Sequence, residues 1–471
     1  MSRKTKIIIT LGPATEAEEM IGKLIDAGTN VFRLNMSHAK HEWAAEMTKR
    51  VRRQSEARDA HIAVLFDLTG PSIRTGDLDK PYNLLEGDIV EFRKIGADQK
   101  VPLSTTVNYD GLMGDVAVGN TLVVDNGAML MRIDVVEADR ILCSVKTPGS
   151  MGSRRHINLP GVRLNLPALT EKDHKDLSLA VECGADYIAG SFVRDSAHVR
   201  ELRQAMHALE GEAQIVAKVE DQEAIRNIDA IILEADVIMV ARGDLGTEVE
   251  FEELPILQRR IVKRCHELGK RVIVPTQLLE SMIQNPTPTR AEASDVATAI
   301  YDGADAVMLS AESAAGKYPL ETVIAMSEIC AAAEAAEDVE LDADFSGQSF
   351  NRIDQTIAMG ALFTAHHLGC KAIVALTESG STPLWMSRHR IHIPIYALTP
   401  NITTQRKMAL YRNVRPLLMD TSADRDTALE QAEGHLLRRN IVQSGDVYAI
   451  TCGEPMGAPG GTNMLKICRV A

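Results

Sequence analysis

IVAKVED at residues 215–221 decides how this chain is read: an apolar run of strand composition that closes in a lysine and two carboxylates. Val/Ile-rich runs without polar alternation read as strands buried on both faces of a parallel sheet, and a charge at the end of such a run needs a partner or a task. Side chains two apart on a strand share a face, so Lys218 and Glu220 project together. VIMVARGDLG (237–246) repeats the pattern and ends in Arg242, Gly243 and Asp244. Two readings fit these charges. One is an ion pair bracing the strand ends; the other is a metal–phosphate site, because Mg2+ takes one or two carboxylates and leaves its other positions to water and substrate oxygens.

Similar runs recur outward from this point: KIIIT (6–10), NVFRLN (30–35), HIAVLFD (61–67), YIAGSFV (187–193), QIVAKVE (214–220), DVIMVAR (236–242), RVIVPT (271–276) and DAVMLSAE (305–312). Stretches such as EEMIGKLIDAG (18–28) and PILQRRIVKRCHELGK (255–270) between them carry apolar residues at helical spacing. Strands alternating with helices predict an α/β protein, either a (β/α)8 TIM barrel or a doubly wound open sheet. The runs end in Thr10, Asn35, Asp67, Arg194, Glu220, Asp244, Thr276 and Glu312. Barrel enzymes gather their chemistry at the C-terminal ends of the strands, so this pattern favours the barrel.

The third and fourth runs lie about a hundred residues apart, whereas α/β connections usually hold about 2–6. Residues 70–167 therefore read as an inserted domain. Its runs DIVEFRKI (88–95), NTLVVDN (120–126), AMLMRIDVVE (128–137) and ILCSVKT (141–147), split by Gly, Asn and Asp, predict a small β-barrel. Springing from the catalytic end of a strand, it is placed to act as a lid. The acidic and polar stretch 333–349 marks a boundary, after which KAIVALT (371–377), IPIYALT (393–399), RPLLMD (415–420), DVYAITC (446–452) and NMLKICRV (463–470) restart an α/β alternation. The predicted domains are a barrel at 1–69 and 168–345, the insert at 70–167, and a C-terminal α/β domain at 346–471.

With 471 residues, 45% apolar and 25% charged, the chain has the composition of a soluble multidomain protein. Its net charge of −14, from 51 Lys+Arg against 65 Asp+Glu, argues against nucleic acid or an anionic membrane as the main partner. Seven cysteines without a CxxC pair read as reduced thiols. The N-terminal apolar run is too short for a signal-peptide core, and no stretch approaches a membrane span, so a cytoplasmic location is expected.

VFRLNMSH (31–38) places Arg33, Asn35 and Ser37 on one face while the strand lasts. Arg33 offers a fork for phosphate or carboxylate. Asn35 and Ser37 offer neutral oxygens to a weakly held cation, with Asp67 adding charge, or they cap the following helix. Arg74 in GPSIRTG (70–76) is free to reach a nucleotide phosphate. Thr276 in TQLLESM (276–282) relays a proton or caps a helix. Arg155 in RHINLPG (155–161) faces the cleft from the lid side or sits in solvent. TESGSTP (377–383) is either an anion-binding turn at a helix start or an ordinary capped turn.

Together and in order, RLNMSH (33–38), NLPG (158–161), LPALTEKD (166–173), AKVED (217–221), IMVARGDLG (238–246), TQLLESM (276–282), PTRAEASDVA (288–297) and DGADAVMLSAES (302–313) resemble the signature segments of the pyruvate kinase family. The resemblance implies Mg2+-dependent phosphoryl transfer from phosphoenolpyruvate to ADP, giving pyruvate and ATP at the last step of glycolysis. It implies that Lys218 and Mg2+ stabilise the enolate intermediate and that Glu220 and Asp244 hold Mg2+. It also implies that Arg33 binds substrate phosphate, and that Gly243, Asp244 and Thr276 contact the substrate carboxylate. Arg74, Asn35, His38 and Arg155 would bind the nucleotide. Asn35, Ser37, Asp67 and the Leu68 carbonyl would bind K+. Thr377, Ser379, Gly380, Ser381 and Thr382 would bind a phosphorylated effector in a homotetramer.

The chain departs from the family pattern at DLTGPSIR, where Leu68, Thr69 and Ser72 replace Thr, Lys and Glu, and again at Arg155, His156 and Ala311. Ser72 leaves the monovalent requirement open. A Mg2+-dependent carbon–carbon lyase is the rival enzyme class, and the insert with Arg74 argues for a nucleotide instead. A Schiff-base aldolase would need Lys218 uncharged, which Glu220 and Asp244 oppose.

Overall fold

The computed structural model describes residues 3–339, 341, 350–420 and 424–470. Eight strands, β1 (Lys6–Thr10), β2 (Val31–Asn35), β3 (Ala63–Asp67), β12 (Tyr187–Gly190), β13 (Gln214–Val219), β14 (Val237–Val240), β15 (Arg271–Pro275) and β16 (Ala306–Leu309), close into a parallel barrel in chain order. These are the eight apolar runs of the sequence. Alternation along each strand sorts the side chains. Ile8, Val31, Leu65, Tyr187, Val216, Met239, Ile273 and Met308 fill the lumen, while Ile7, Phe32, Phe66, Ile188, Ile215 and Val272 pack outward against the helices. The lumen parity continues upward through Thr10, Arg33, Asp67 and Lys218, so period two alone lifts the charged residues into the layer above the apolar plug.

Between β3 and β12 lie β4 (Tyr82–Leu84), β5 (Ile89–Arg93), β6 (Ser104–Thr106), β7 (Thr121–Val124), β8 (Met129–Val136), β9 (Arg140–Val145), β10 (Gly149–Met151) and β11 (Ile157–Asn158). Six form a sheet ordered β11-β7-β8-β9-β5-β6, and β10 pairs with β4. Residues 73–76 run between the two sheet edges. The Ile157 N–H donates to the Ile73 carbonyl and the Thr75 N–H to the Arg155 carbonyl, both at 2.9 Å, while on the other side the Gly76 N–H donates to the Thr106 carbonyl at 2.7 Å. This segment joins the edges, giving the small barrel expected of the insert, with Phe92, Leu122, Met131 and Ile141 in its own core.

The C-terminal part is a five-stranded sheet of β17 (Ala372–Leu376), β18 (Ile395–Thr399), β19 (Val414–Leu418), β20 (Val447–Gly453) and β21 (Thr462–Arg469), ordered β19-β18-β17-β20-β21, with only β21 antiparallel. Helices Ile353–Leu368 and Arg425–Arg438 cover its two faces. Ala409 and Leu410, from the turn Met408–Leu410, join the lumen cluster and plug the floor of the large barrel. The boundary expected at 345/346 falls outside the described residues. All seven cysteines are free, and among the described residues no helix is long and apolar enough to cross a membrane.

Candidate active site

The C-terminal mouth of the large barrel gathers four buried charges. Lys218 Nζ lies 2.9 Å from Glu220 Oε1 and 3.4 Å from Asp67 Oδ1, and donates to Ser191 Oγ at 2.7 Å. Arg33 grips Asp67 Oδ2 through Nη2 at 2.6 Å and Nε at 2.7 Å, and donates to Thr10 Oγ1 at 2.9 Å. The Lys218–Glu220 pair of the first reading thus exists, as part of a larger network. Burial opposes the charge on Lys218, but Asp67 and Glu220 together outweigh it and hold the amine protonated well above the lysine range. Asp67 is moved the other way: burial would raise its carboxyl, and Lys218 and Arg33 pull it below the usual carboxylate range.

Glu220 is pushed up, first by burial and then by the charge of Asp244, against the pull of Lys218. A buried carboxylate and a half-exposed one that repel each other are relieved by a cation between them. The Glu220–Asp244 pair therefore fits Mg2+, which needs few protein ligands. Among the described residues no group of three or more His, Cys, Asp or Glu side chains converges as a metal cage. Asp67 Oδ1 is buried and has only the ammonium of Lys218 at 3.4 Å, with no hydrogen bond of good geometry. Asn35 is the register partner of Asp67 across β2 and β3, which sets the two residues side by side at the strand ends. Asn35 Oδ1 accepts the Ser37 N–H at 3.1 Å, and the next helix, His41–Ala57, starts at Lys40 without a side-chain cap. The capping alternative for Asn35 and Ser37 is thereby excluded.

Thr276 is likewise no helix cap. Its Oγ1 donates to the Pro275 carbonyl at 2.7 Å and accepts the Gly243 N–H at 3.2 Å, which links the ends of β15 and β14. Its φ of 66° is unusual for a β-branched residue, and Arg242 holds it by donating to the Thr276 carbonyl at 2.6 Å and the Pro275 carbonyl at 3.2 Å. Phe192 also has positive φ, 54°, and aims its N–H at Glu220 Oε2, 2.5 Å away.

The insert meets the mouth along 156–158. Asn158 Nδ2 donates to Glu248 Oε1 at 3.1 Å, and His156 Nδ1 sits 3.7 Å from Asp244 Oδ1. Burial, and then Arg74, depress His156 to about 4, so it faces Asp244 as a neutral ring. Arg74 is exposed and donates to Ser72 Oγ at 3.3 Å and the Arg154 carbonyl at 3.1 Å. Arg155 is exposed too and pairs with Asp125 at 3.4 Å; His38 is exposed on the loop after β2. In the C-terminal sheet, Thr377 Oγ1 accepts the Gly380 N–H at 2.9 Å, Ser381 donates to Asp354 at 2.7 Å, and Thr382 donates to Thr462 at 2.7 Å, lining a cleft shared with Ser379.

Ser191, Phe192 and Glu248 were not singled out by the sequence, and His156 was noted only as a departure from the family pattern. Only Ser191 had a signal, the inward parity of YIAGS.

The fold and this cluster define a (β/α)8-barrel enzyme with a cation-ready anion site at its mouth. Residues 2–323 match the family model described as pyruvate kinase, barrel domain, and residues 355–468 the one described as pyruvate kinase, alpha/beta domain. A pyruvate kinase of Staphylococcus epidermidis is 40% identical over 468 residues, covering 99% of this chain and 80% of the relative. One from Staphylococcus aureus is 41% identical over the same shares. A crystal structure of a pyruvate kinase from Cryptosporidium parvum superimposes with a TM-score of 0.94 at 32% identity, covering 100% of this chain and 96% of that one. The chain belongs to the pyruvate kinase family. Its reaction is that of the family, phosphoryl transfer from phosphoenolpyruvate to ADP in glycolysis.

Proposed function

We propose that Lys218, Arg33, Glu220, Asp244 and Thr276 carry this reaction, on the strength of one observation: Lys218 stays protonated between Asp67 and Glu220, beside Arg33, at the barrel mouth. Phosphoryl transfer asks for positioned phosphates and cations rather than covalent help. Arg33 binds the phosphate of phosphoenolpyruvate, and Gly243, Asp244 and Thr276 line the end that takes its carboxylate. As the P–O bond to the enol oxygen breaks and a new one forms to an ADP phosphate oxygen, Lys218 stabilises the charge on the phosphoryl group and then on the enolate. The enolate takes a proton at carbon from water ordered near Thr276. Glu220 and Asp244 would hold Mg2+, which neutralises substrate oxygens when bound.

Asn35, Ser37, Asp67 and the Leu68 carbonyl would hold K+, and Arg74, Asn35, His38 and Arg155 would bind the nucleotide. The insert, 70–167, closes over the barrel of 1–69 and 168–345 and excludes bulk water. The C-terminal domain, 346–471, takes a phosphorylated effector at Thr377, Ser379, Gly380, Ser381 and Thr382 and supports a cytoplasmic homotetramer. A coupled assay with phosphoenolpyruvate and ADP tests the core of this reading, with expected turnover that disappears on chelating Mg2+, and its comparison with and without K+ decides the monovalent requirement that Ser72 leaves open. Turnover unaffected by chelation would refute the metal assignment.

A further inference from the structure

We propose that Ser191 is a positioning residue for the phosphoryl transfer: its hydroxyl fixes the Lys218 ammonium and ties it to the loop that follows β3. This rests on the role of Lys218 given above. Ser191 follows β12 at the inward parity set by Tyr187 and Ala189, and it is 5% exposed. Its Oγ accepts from Lys218 Nζ at 2.7 Å and donates to the Leu68 carbonyl at 2.8 Å. Ammonium, hydroxyl and carbonyl form a chain in which each bond polarises the next.

Two further contacts make this a built arrangement. Gly70, at φ 69°, lies against Ser191 so closely that a Cβ there would stand 2.8 Å from Ser191 Cβ. The serine is therefore held from the hinge of the insert, where the Gly70 N–H is in turn bound by Asp173 Oδ1 at 3.0 Å. Phe192, the next residue, gives its N–H to Glu220 Oε2 at 2.5 Å, so consecutive residues address both members of the Lys218–Glu220 pair.

Asp67 and Glu220 attract the ammonium as charges, and a point charge on a four-carbon stem is weakly directed by charge alone. Among the described residues Ser191 is its one neutral side-chain partner. A cation held by Glu220 would weaken the hold of that carboxylate on Lys218 and leave the hold of Ser191 unchanged. The hydroxyl therefore keeps the ammonium in place during turnover.

Ser191→Ala tests this in the full-length protein with the pyruvate-coupled assay and a thermal melt. The expected result is a folded protein whose kcat falls about ten- to a hundredfold, the worth of a hydrogen bond to a charged group, while KM for phosphoenolpyruvate stays within about threefold. Wild-type kcat in Ser191→Ala, or a kcat loss matched by an equal rise in KM, overturns the proposal. Ser191→Cys, close in size with a weaker donor, is read by the same criteria if alanine fails to fold, and unfolding of both would make the hydroxyl structural and overturn it. Failure of the underlying reading is distinguishable, because Lys218→Ala would then keep wild-type kcat.

Discussion

Lys218→Ala separates a catalytic lysine from a structural one. The change removes the partner 2.9 Å from Glu220 Oε1 and 3.4 Å from Asp67 Oδ1. Asp67 keeps Arg33 at 2.6 Å, whereas Glu220 is left with the Phe192 N–H. Stranding one member of a buried pair costs about 3–5 kcal/mol, and the retained Arg33 places this case toward the lower end. Burial already pushes the Glu220 carboxyl up, and the variant loses the main influence opposing it. Proton binding at Glu220 is then favoured further, and a divalent cation must compete with it. Mg2+ affinity in the variant should therefore match or exceed that of the wild-type protein at pH 8, where a neighbouring positive charge has gone, and fall as the pH drops.

Catalysis should respond differently. Removing a preorganised charge from the position where charge develops costs about 10²–10³ in kcat, with KM for phosphoenolpyruvate little changed. The coupled assay gives the kinetic constants, and the rise in Tm with Mg2+ at pH 8 and pH 6 gives the metal response. A kcat within about threefold of wild type, or a Tm response to Mg2+ that vanishes with the lysine, would refute the reasoning.

Asp244→Asn should weaken Mg2+ and phosphoenolpyruvate together; an unchanged Mg2+ titration would count against the metal assignment. Glu248 is raised to about 7, first by burial, with Asn158 opposing and Asp221 and Asp244 adding to the rise. Its contribution is fully present below the unfolded glutamate range and is lost as pH rises through 7. Glu248→Gln keeps an acceptor for Asn158 and should melt higher than wild type at pH 8 by up to about 3 kcal/mol, converging near pH 4; a pH-independent difference in calorimetry would refute this. His266 is depressed to about 4, first by burial and then by Arg388, so its contribution is present above pH 6.5 and lost as pH falls toward 4. His266→Gln should show a shallower fall in urea-denaturation stability over that window, and identical slopes would contradict it.

The barrel was legible because each strand is short, apolar and terminated by a polar residue, and period two then fixes which residue faces the lumen. Lys218, Glu220, Arg33 and Asp67 are readable on that basis. Contacts made by the insert were not: His156 meets Asp244, and Asn158 meets Glu248, across 88 and 90 residues of chain, and no local pattern encodes such pairings. The left-handed backbones of Phe192 and Thr276 are equally silent, since neither is a residue type that favours φ above zero. They persist because Glu220 and Arg242, just past the ends of β13 and β14, bond to them. In the insert, the joining segment 73–76 and the two-residue β11 are too short to carry any periodicity, so the strands were readable and the means of closure was not.

The charge balance at the mouth constrains the order of events. Lys218 and Arg33 against Asp67 and Glu220 sum to zero, which is how four charges persist in a buried layer. Asp244, half-exposed beside them, adds one uncompensated negative charge. A phosphorylated carboxylate entering alone would bring further negative charge toward Glu220 and Asp244. A divalent cation entering alone would meet two carboxylates, one of them already held by Lys218. Each ligand removes the obstacle to the other, so their affinities must be coupled, and by linkage the coupling is equal in both directions. Phosphoenolpyruvate should tighten Mg2+ by the same factor that Mg2+ tightens phosphoenolpyruvate. Asp244→Asn should shrink that factor more than it changes either affinity measured alone, because the residue contributes the charge that makes the two ligands need one another.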